Sequence, residues 1–419
     1  MSAPLTAFLL TFFLFTSSAV DVSVSSRNNQ TTNSSAAARI LNVFNIVTFP
    51  NDPCVGTSLT GQYGSCLTAS ECSGLSGVSV GSCASGFGVC CTNYQGCGGT
   101  WNLNNSYWRD SKSMTGSTQS DETSPCTFKV CRTDSDIGQI RLDFETFSLA
   151  QPNTVYATGE GAQGLGESRT QCQEAQFRAN SKNSNPAPVL CGENSGYHMY
   201  LEAMDTCNTL TMSWLPTINI PTWSIKISQH SKTAWYRAPP HCTQYFTGST
   251  GYLKSFNYDS SYHLANQNYQ ICIRTERGMC TIYYSAVSST SFRISGTISG
   301  TGHTEEYYCS EDYIAIPFGT NPAMPTGPAA TKVNRYCGAL LTYSVAGTTE
   351  GTINTSVTPF RCSVLSNSKQ LIMDSTRIRI GVYTDGGESD TWVTPPSPAG
   401  TYSESYSKGF YLYYSQSSC

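Results

Sequence analysis

Polar and apolar residues alternate with period two along much of this chain. Gln139-Ile-Arg-Leu-Asp-Phe144 and Trp223-Ser-Ile-Lys-Ile-Ser228 each place apolar side chains on one face and polar ones on the other, the pattern of a half-buried strand. Ile40 to Pro50 reads as a further strand, and clusters of Gly, Pro, Asn and Ser separate such segments. No stretch carries apolar residues at helical spacing, so the pattern predicts an all-β chain built as sandwiches or barrels. The apolar run Phe8 to Phe15 is shorter than the roughly 18 residues a membrane-crossing helix needs. With the small residues Ser17 and Ala19 behind it, this run predicts a cleaved signal over residues 1–19. Residues 20–38 have no apolar periodicity and predict a flexible linker. Pro239-Pro240 marks a short, stiff connection ahead of a second, longer β-domain.

Composition sharpens the picture. Charged residues make up 12% of the 419, against roughly 25% in an average soluble protein, so Ser, Thr, Asn, Gly and Tyr must solvate the surface. The net charge of −4 gives no footprint for nucleic acid or an anionic membrane, and no apolar segment predicts membrane insertion. Nineteen cysteines predict disulfides and an oxidising, extracellular compartment for a secreted product. Four Asn-x-Ser/Thr sequons, at Asn29, Asn33, Asn104 and Asn354, are glycosylation candidates in that compartment.

Six cysteines, at 54, 66, 72, 83, 90 and 91, crowd a window over residues 39–92 that is too small to fold on an apolar core alone. Six cysteines allow 15 pairings. The adjacent Cys90 and Cys91 point to opposite sides of an extended chain and must take different partners. Zinc is disfavoured because no pair has C-x2-C spacing. The layout, ending Gly86-Phe-Gly-Val-Cys-Cys91, resembles the clip domain found ahead of arthropod serine proteases, which implies the bridges Cys54–Cys90, Cys66–Cys83 and Cys72–Cys91.

Two longer cysteine frames follow. The first runs through Cys97-Gly-Gly, Cys126-Thr-Phe-Lys-Val, Cys172 and Pro188-Val-Leu-Cys-Gly192; the second through Cys242, Cys309-Ser-Glu-Asp312-Tyr, Arg335-Tyr-Cys-Gly338 and Gly409-Phe-Tyr-Leu-Tyr-Tyr414. Both resemble CUB domains, a two-sheet jelly-roll sandwich of extracellular proteins, over residues 97–236 and 239–419. With Phe49-Pro-Asn51, Tyr197-His-Met-Tyr200 and Tyr245-Phe-Thr-Gly248, the whole arrangement looks like a group of secreted arthropod proteins with a clip-like knot and paired CUB modules. The resemblance pairs Cys97 with Cys126, Cys172 with Cys191 and Cys309 with Cys337, and Cys272 and Cys280 are assigned to each other across the turn Glu276-Arg-Gly278. An odd cysteine count leaves at least one thiol outside an intrachain pair. Cys131, Cys207 and Cys362 are the candidates, and Cys242 and Cys419 are left unassigned.

The sequence carries no catalytic frame. Five histidines, at 198, 230, 241, 263 and 303, lie outside any H-E-x-x-H helix, and no G-x-S-x-G elbow occurs. His198, between Tyr197 and Met199, reads as a hydrogen-bonded strand residue. Gly159-Glu-Gly-Ala-Gln-Gly164 matches a dinucleotide fingerprint but lacks the surrounding strand and helix, and reads as a loop. The resemblance implies a calcium site in many such domains. Its positions hold Ala150 and Ala175 in the first domain and Ser295 in the second, where Asp312 and Asp385 remain as weak calcium candidates. No other cofactor is expected. The function that follows is non-enzymatic recognition of an extracellular protein or glycan. The alternatives are regulation of an extracellular protease cascade, a tyrosine-cross-linked matrix or cuticle component, and a cryptic hydrolase.

Overall fold

The computed structural model describes residues 49, 51–57, 63–110, 122–155, 169–182, 187–216, 221–260, 262–294, 302–303, 309, 312–319, 333–338, 341, 353–356, 378–386 and 408–418. The signal and linker segments, Asn29, Asn33, Ser295, Cys362, Cys419, the 159–164 run and all but Phe49 of the strand expected at 40–50 lie outside the described residues.

Strands β1 (Pro53–Val55), β2 (Tyr63–Leu67), β3 (Val78–Cys83) and β4 (Gly88–Thr92) form a sheet in the order β1-β2-β4-β3. One helix, α1 (Ala69–Gly74), starts at a capping box in which Thr68 Oγ1 accepts from the Glu71 amide while the Glu71 carboxylate accepts from the Thr68 amide. The Thr68 amide, and after it the Thr68 hydroxyl, donates to the Glu71 carboxylate and holds that carboxyl below its ordinary pKa. The apolar core is small: Leu67, Cys72 and Cys91, with Leu75 and Val89 against them. Disulfides replace the missing core, joining Cys54 to Cys90, Cys66 to Cys83 and Cys72 to Cys91. Gly77 is required by this packing, since a Cβ there would lie 2.3 Å from Cys91 Sγ.

The chain then enters a sandwich. Strands β5 (Tyr94–Gln95), β6 (Thr100–Trp101), β7 (Ser106–Arg109), β8 (Cys126–Cys131), β9 (Ile137–Ser148), β10 (Asn153–Val155), β11 (Arg169–Gln171), β12 (Ala175–Ala179), β13 (His198–Glu202), β14 (Cys207–Trp214) and β15 (Thr222–Ser231) follow in order. Two sheets, β12-β14-β8-β6 and β13-β9-β15-β7-β5, face each other, and β10 pairs with β11 alone. The period-two alternation sets their inner faces. Ile140, Leu142 and Phe144 of β9 and Trp223, Ile225 and Ile227 of β15 are fully buried, and Trp108 stacks on Phe128 with ring centres 5.7 Å apart. The first strand of the larger sheet, β5, follows the knot directly and pairs in parallel with β7. Tyr94 Oη donates to Tyr63 O at 3.1 Å, and Asn105 bonds to Asn51 and Ser65, so the knot is docked onto the sandwich.

A second sandwich contains β16 (Gln244–Phe246), β17 (Thr250–Lys254), β18 (Asn268–Ile273), β19 (Met279–Ala286), β20 (Phe292–Arg293), β21 (Gly302–His303), β22 (Tyr313–Gly319), β23 (Val333–Gly338), β24 (Ile353–Ser356), β25 (Arg379–Tyr383) and β26 (Gly409–Ser418). Its sheets are β16-β18-β25-β22-β23-β21 and β17-β26-β19-β24, with β20 also on β26. Its core holds Phe256, Tyr269, Ile271, Tyr284, Phe292, Phe410 and Leu412.

Further disulfides join Cys97 to Cys126, Cys172 to Cys191 and Cys309 to Cys337. Two sequence assignments are corrected. Cys131, a free-thiol candidate with Cys207, is bonded to it, because the two face each other at the end of the β8/β14 pair with Cα atoms 4.1 Å apart. Cys272 bonds Cys242 rather than Cys280. Strands β18 and β19 belong to different sheets rather than to one hairpin, whereas the segment leading into β16 runs beside β18 and brings Cys242 to it.

The two sandwiches meet through buried polar bonds. Asn257, at φ 63°, donates its amide to Asn194 Oδ1 at 2.8 Å, and its own Oδ1 accepts from the Glu193 amide at 2.8 Å. Both asparagines are fully buried. Asn194 Nδ2 donates to Cys191 O and Asn257 Nδ2 to Tyr262 O. Gly192, at φ 73°, lies so close that a Cβ would fall 2.1 Å from Asn257 Oδ1. Thr243 adds a bridge: its carbonyl accepts from Tyr200 of β13 at 2.7 Å, and its amide donates to Gln270 of β18 at 2.8 Å.

Two outcomes follow. Limited reduction with alkylation should label Cys54 and Cys83, half-buried over a minimal core, before the fully buried Cys126, Cys191 and Cys272, because each knot bridge contributes about 2–4 kcal/mol that little apolar burial backs. The reverse order contradicts the stability ranking. Asn257→Ala should cost about 2–4 kcal/mol in denaturant unfolding, from orphaned buried partners and a left-handed backbone that alanine resists. Asn257→Gly, which keeps the backbone geometry, should cost less.

Candidate functional site

The outer face of the sheet β13-β9-β15-β7-β5 is polar because the same alternation that buries one side exposes the other. It presents Arg141, Asp143 and Glu145 from β9, Lys226, Ser228 and His230 from β15, and Tyr200 from β13. Residues two apart on a strand share a face, so Arg141 reaches Asp143 directly, at 2.6 Å, and its Nη1 donates to Tyr200 Oη at 3.0 Å. Burial works against the Arg141 charge, but the bonds and charge of Asp143, together with Tyr200, outweigh it and hold its pKa above the ordinary value. Glu145 accepts from Ser224 Oγ at 3.0 Å and lies 3.5 Å from Arg109, whose guanidinium sits 3.7 Å over the Tyr94 ring.

The knot and the second sandwich turn this flat face into a cleft of about 820 Å³. Asp52 and Pro53 wall one side, and Tyr245, Thr247 and Arg274 the other. Trp235 and Tyr236 form the rim, 81% and 48% exposed. The turn that carries them is clamped. Gln139, buried beneath it, donates to Ala238 O at 3.2 Å and accepts from the Ala238 amide at 3.0 Å, while Lys232 N donates to Asp136 O and Arg237 N to Ala234 O.

From the rim an aromatic path runs inward. Trp235 meets Tyr236 edge-on at 5.7 Å, Tyr236 meets His230 at 5.1 Å, His230 meets Tyr200 at 6.0 Å, and Tyr200 meets Tyr245 of the second sandwich at 6.3 Å. Such edge-to-face pairs favour a single arrangement of the rings. Burial raises the pKa of Tyr200 and Tyr245. Burial, then the Arg141 charge, lowers His230 to about 4, so its ring is neutral at physiological pH.

The residues singled out from the sequence fall elsewhere. Ala150 and Ala175 pack against the core. Asp312 is buried, its Oδ1 accepts from the Asp385 amide at 2.7 Å, and its Oδ2 faces His263 Nε2 at 3.6 Å. Around it Thr384 Oγ1 donates to Leu264 O, and Asn266 N donates to Asp385 O. Among the described residues an imidazole edge and a backbone amide thus face the Asp312 carboxylate, and Asp385 reaches it through its backbone amide. His198 lies on β13, where its Nε2 accepts from the Tyr245 amide at 3.0 Å across the sandwich junction. Asn104 lines the cleft, with its Oδ1 accepting from the Asn105 and Gln229 amides; Asn354 lies on β24. Sequence reasoning assigned no role to Trp235 and Tyr236. The only signal was two large aromatics in a polar turn just before Pro239-Pro240.

Residues 239–417 match the family model described as the animal CUB domain. No curated protein matches the chain. Among solved structures, the CUB1-EGF-CUB2 domains of rat MASP-1 are similar at 11% identity, with 75% of this chain and 99% of that chain covered and a TM-score of 0.23. The corresponding human MASP-1/3 segment gives 12%, 70%, 93% and 0.21. The full extracellular region of zebrafish Gpr126/Adgrg6 gives 8%, 76%, 36% and 0.24.

Burial, then the Arg141 charge, lowers His198 to about 4, below the roughly 6.5 of an unfolded chain. The unfolded state therefore binds more protons between these values. The stabilisation is complete above about pH 6.5 and is lost as pH falls toward about 4. A protonated Nε2 also no longer accepts from Tyr245. Thermal unfolding across this range should show stability falling with acid in the wild type, and His198→Asn should make that dependence shallower, leaving the share that His230 contributes with the same sign. An unchanged slope in the variant contradicts the assignment.

Proposed function

We propose that this is a secreted, non-enzymatic recognition protein that engages an extracellular ligand in the cleft where the six-cysteine module and the two sandwiches meet. A CUB domain is found in its second half, and such domains are generally binding modules. Eight disulfides among the described residues suit an extracellular setting. No helix of the described residues is long and apolar enough to cross a membrane. The knot is a clip-like module whose part is to build one wall of the cleft.

One observation carries the reading. Trp235 is held by a clamped turn with four-fifths of its surface in solvent, beside a concave polar floor. Exposing an indole on a clamped turn has no benefit for folding, whereas aromatic anchors dominate binding surfaces.

A second reading, a matrix component cross-linked through tyrosine, draws on a separate patch. There Tyr252, 55% exposed, lies 5.3 Å from Tyr413 and 5.6 Å from Tyr411. Insolubility and dityrosine fluorescence in the native tissue distinguish it.

The test is affinity capture from extracellular fluid with wild type and Trp235→Ala in parallel. Loss of an anchor should weaken retention of the specific ligand by about 2 kcal/mol or more. Identical capture by both proteins would move the binding surface elsewhere.

A further inference from the structure

Resting on that reading of the cleft, we propose that the ligand is a neutral oligosaccharide. The charges lining the cleft cancel: Asp52, Asp143 and Glu145 stand against Arg141, Lys226 and Arg274. Most are also engaged within the protein. Arg141 pairs with Asp143 at 2.6 Å, Glu145 with Arg109 at 3.5 Å, and Arg274 with Glu276 at 2.8 Å. His230 adds no charge at neutral pH. A polyanion such as a sulfated glycan needs a surplus of cations to replace its counterions, and this cleft has none.

What the floor does offer is hydrogen-bonding capacity without net charge. A carboxylate has about four lone-pair sites, more than the Asp143 and Glu145 bonds use, and Tyr200 Oη, Ser228 Oγ and Lys226 stand beside them. Vicinal hydroxyls, which donate and accept at once, match such a surface. A protein ligand bringing apolar anchors of its own would find few sockets for them, because the floor is built of charged and polar groups.

The rim supplies the complementary element. A pyranose ring has one face of axial C–H bonds, slightly positive, which suits the negative face of an aromatic ring. Trp235 and Tyr236 stand edge to face at 86°, and with four-fifths of Trp235 in solvent an indole face is open to such a ring. A cleft of about 820 Å³ lies toward the upper end of the range for small-molecule sites, with room for several linked sugars. Because the turn is already held by Gln139, binding loses little further entropy.

The experiment uses the full chain and its tryptophan fluorescence, with calorimetry, against short neutral oligosaccharides of hexose and N-acetylhexosamine and their sulfated counterparts. At least one neutral class should bind, with affinity unchanged when salt is raised from about 0.1 M to about 1 M, where the screening length drops from about 10 Å to about 3 Å. Trp235→Ala should weaken it about tenfold or more, and Trp235→Phe, which keeps an aromatic face, should restore most of it. Binding confined to sulfated members and falling with salt overturns the proposal. So does failure of every sugar while a captured protein ligand still depends on Trp235, an outcome that leaves the cleft reading standing. If no ligand of any kind depends on Trp235, the cleft reading fails as well. An Asn104→Gln arm separates sources, since neutral sugar binding seen only in that variant would assign the cleft to the chain's own glycan and overturn recognition of a foreign one.

Discussion

The reciprocal hold between Asn194 and Asn257 is the constraint on which the arrangement depends. Neither side chain contacts solvent, and each satisfies groups that packing has already cut off from water: Asn194 the Asn257 amide, Asn257 the Glu193 amide and the Tyr262 carbonyl. A buried donor without a partner costs about 1–3 kcal/mol, so small rotations of one sandwich against the other are opposed by several such penalties at once. The left-handed backbone at Asn257 and Gly192 lets the two loops approach this closely. Apolar contact alone, such as Tyr197 against Phe256 at 5.9 Å, tolerates sliding; directed amide bonds do not.

The cleft inherits its shape from that constraint. Its floor belongs to one sandwich, one wall to the other and the opposite wall to the knot, so no module contains the site by itself. His198 belongs to both systems. Its ring accepts the Tyr245 amide at the junction, and Tyr200, two residues on along the same strand, lies in the floor. Acid that protonates the junction thus disturbs the floor through a single strand.

The sequence made the fold legible where one face is buried and one is wet. In β9 and β15 the alternation names the inward residues one by one, and the structure buries Ile140, Leu142, Phe144, Ile225 and Ile227 as the pattern predicts. The pairing of Cys131 with Cys207 was hidden because it depends on the register of β8 against β14, strands 76 residues apart at those cysteines. The Cys242–Cys272 bridge was hidden because short separation made Cys280 the obvious partner, whereas the chain crosses between sheets there. The cleft was illegible for a deeper reason. Arg141, Asp143 and Lys226 read as an ordinary solvated strand face, and only the orientation of two other modules makes that face concave. Trp235 had no periodic context to mark it, since its exposure is a property of a clamped turn.

The parallel pairing of β5 with β7 bears on how the molecule carries load. A pull between the N-terminal module and the rest grips β5 at its leading end and β7 at its trailing end. The hydrogen bonds between such strands are strained together in shear, not peeled apart in sequence. Just past β5, Cys97 is tied to Cys126 at the head of β8, giving the force a covalent route into the opposite sheet. Tension that reaches Cys97 therefore passes to both sheets, and the part of the chain ahead of that bridge, with the wall that the knot contributes, depends on the short β5 pairing and the knot's own docking bonds.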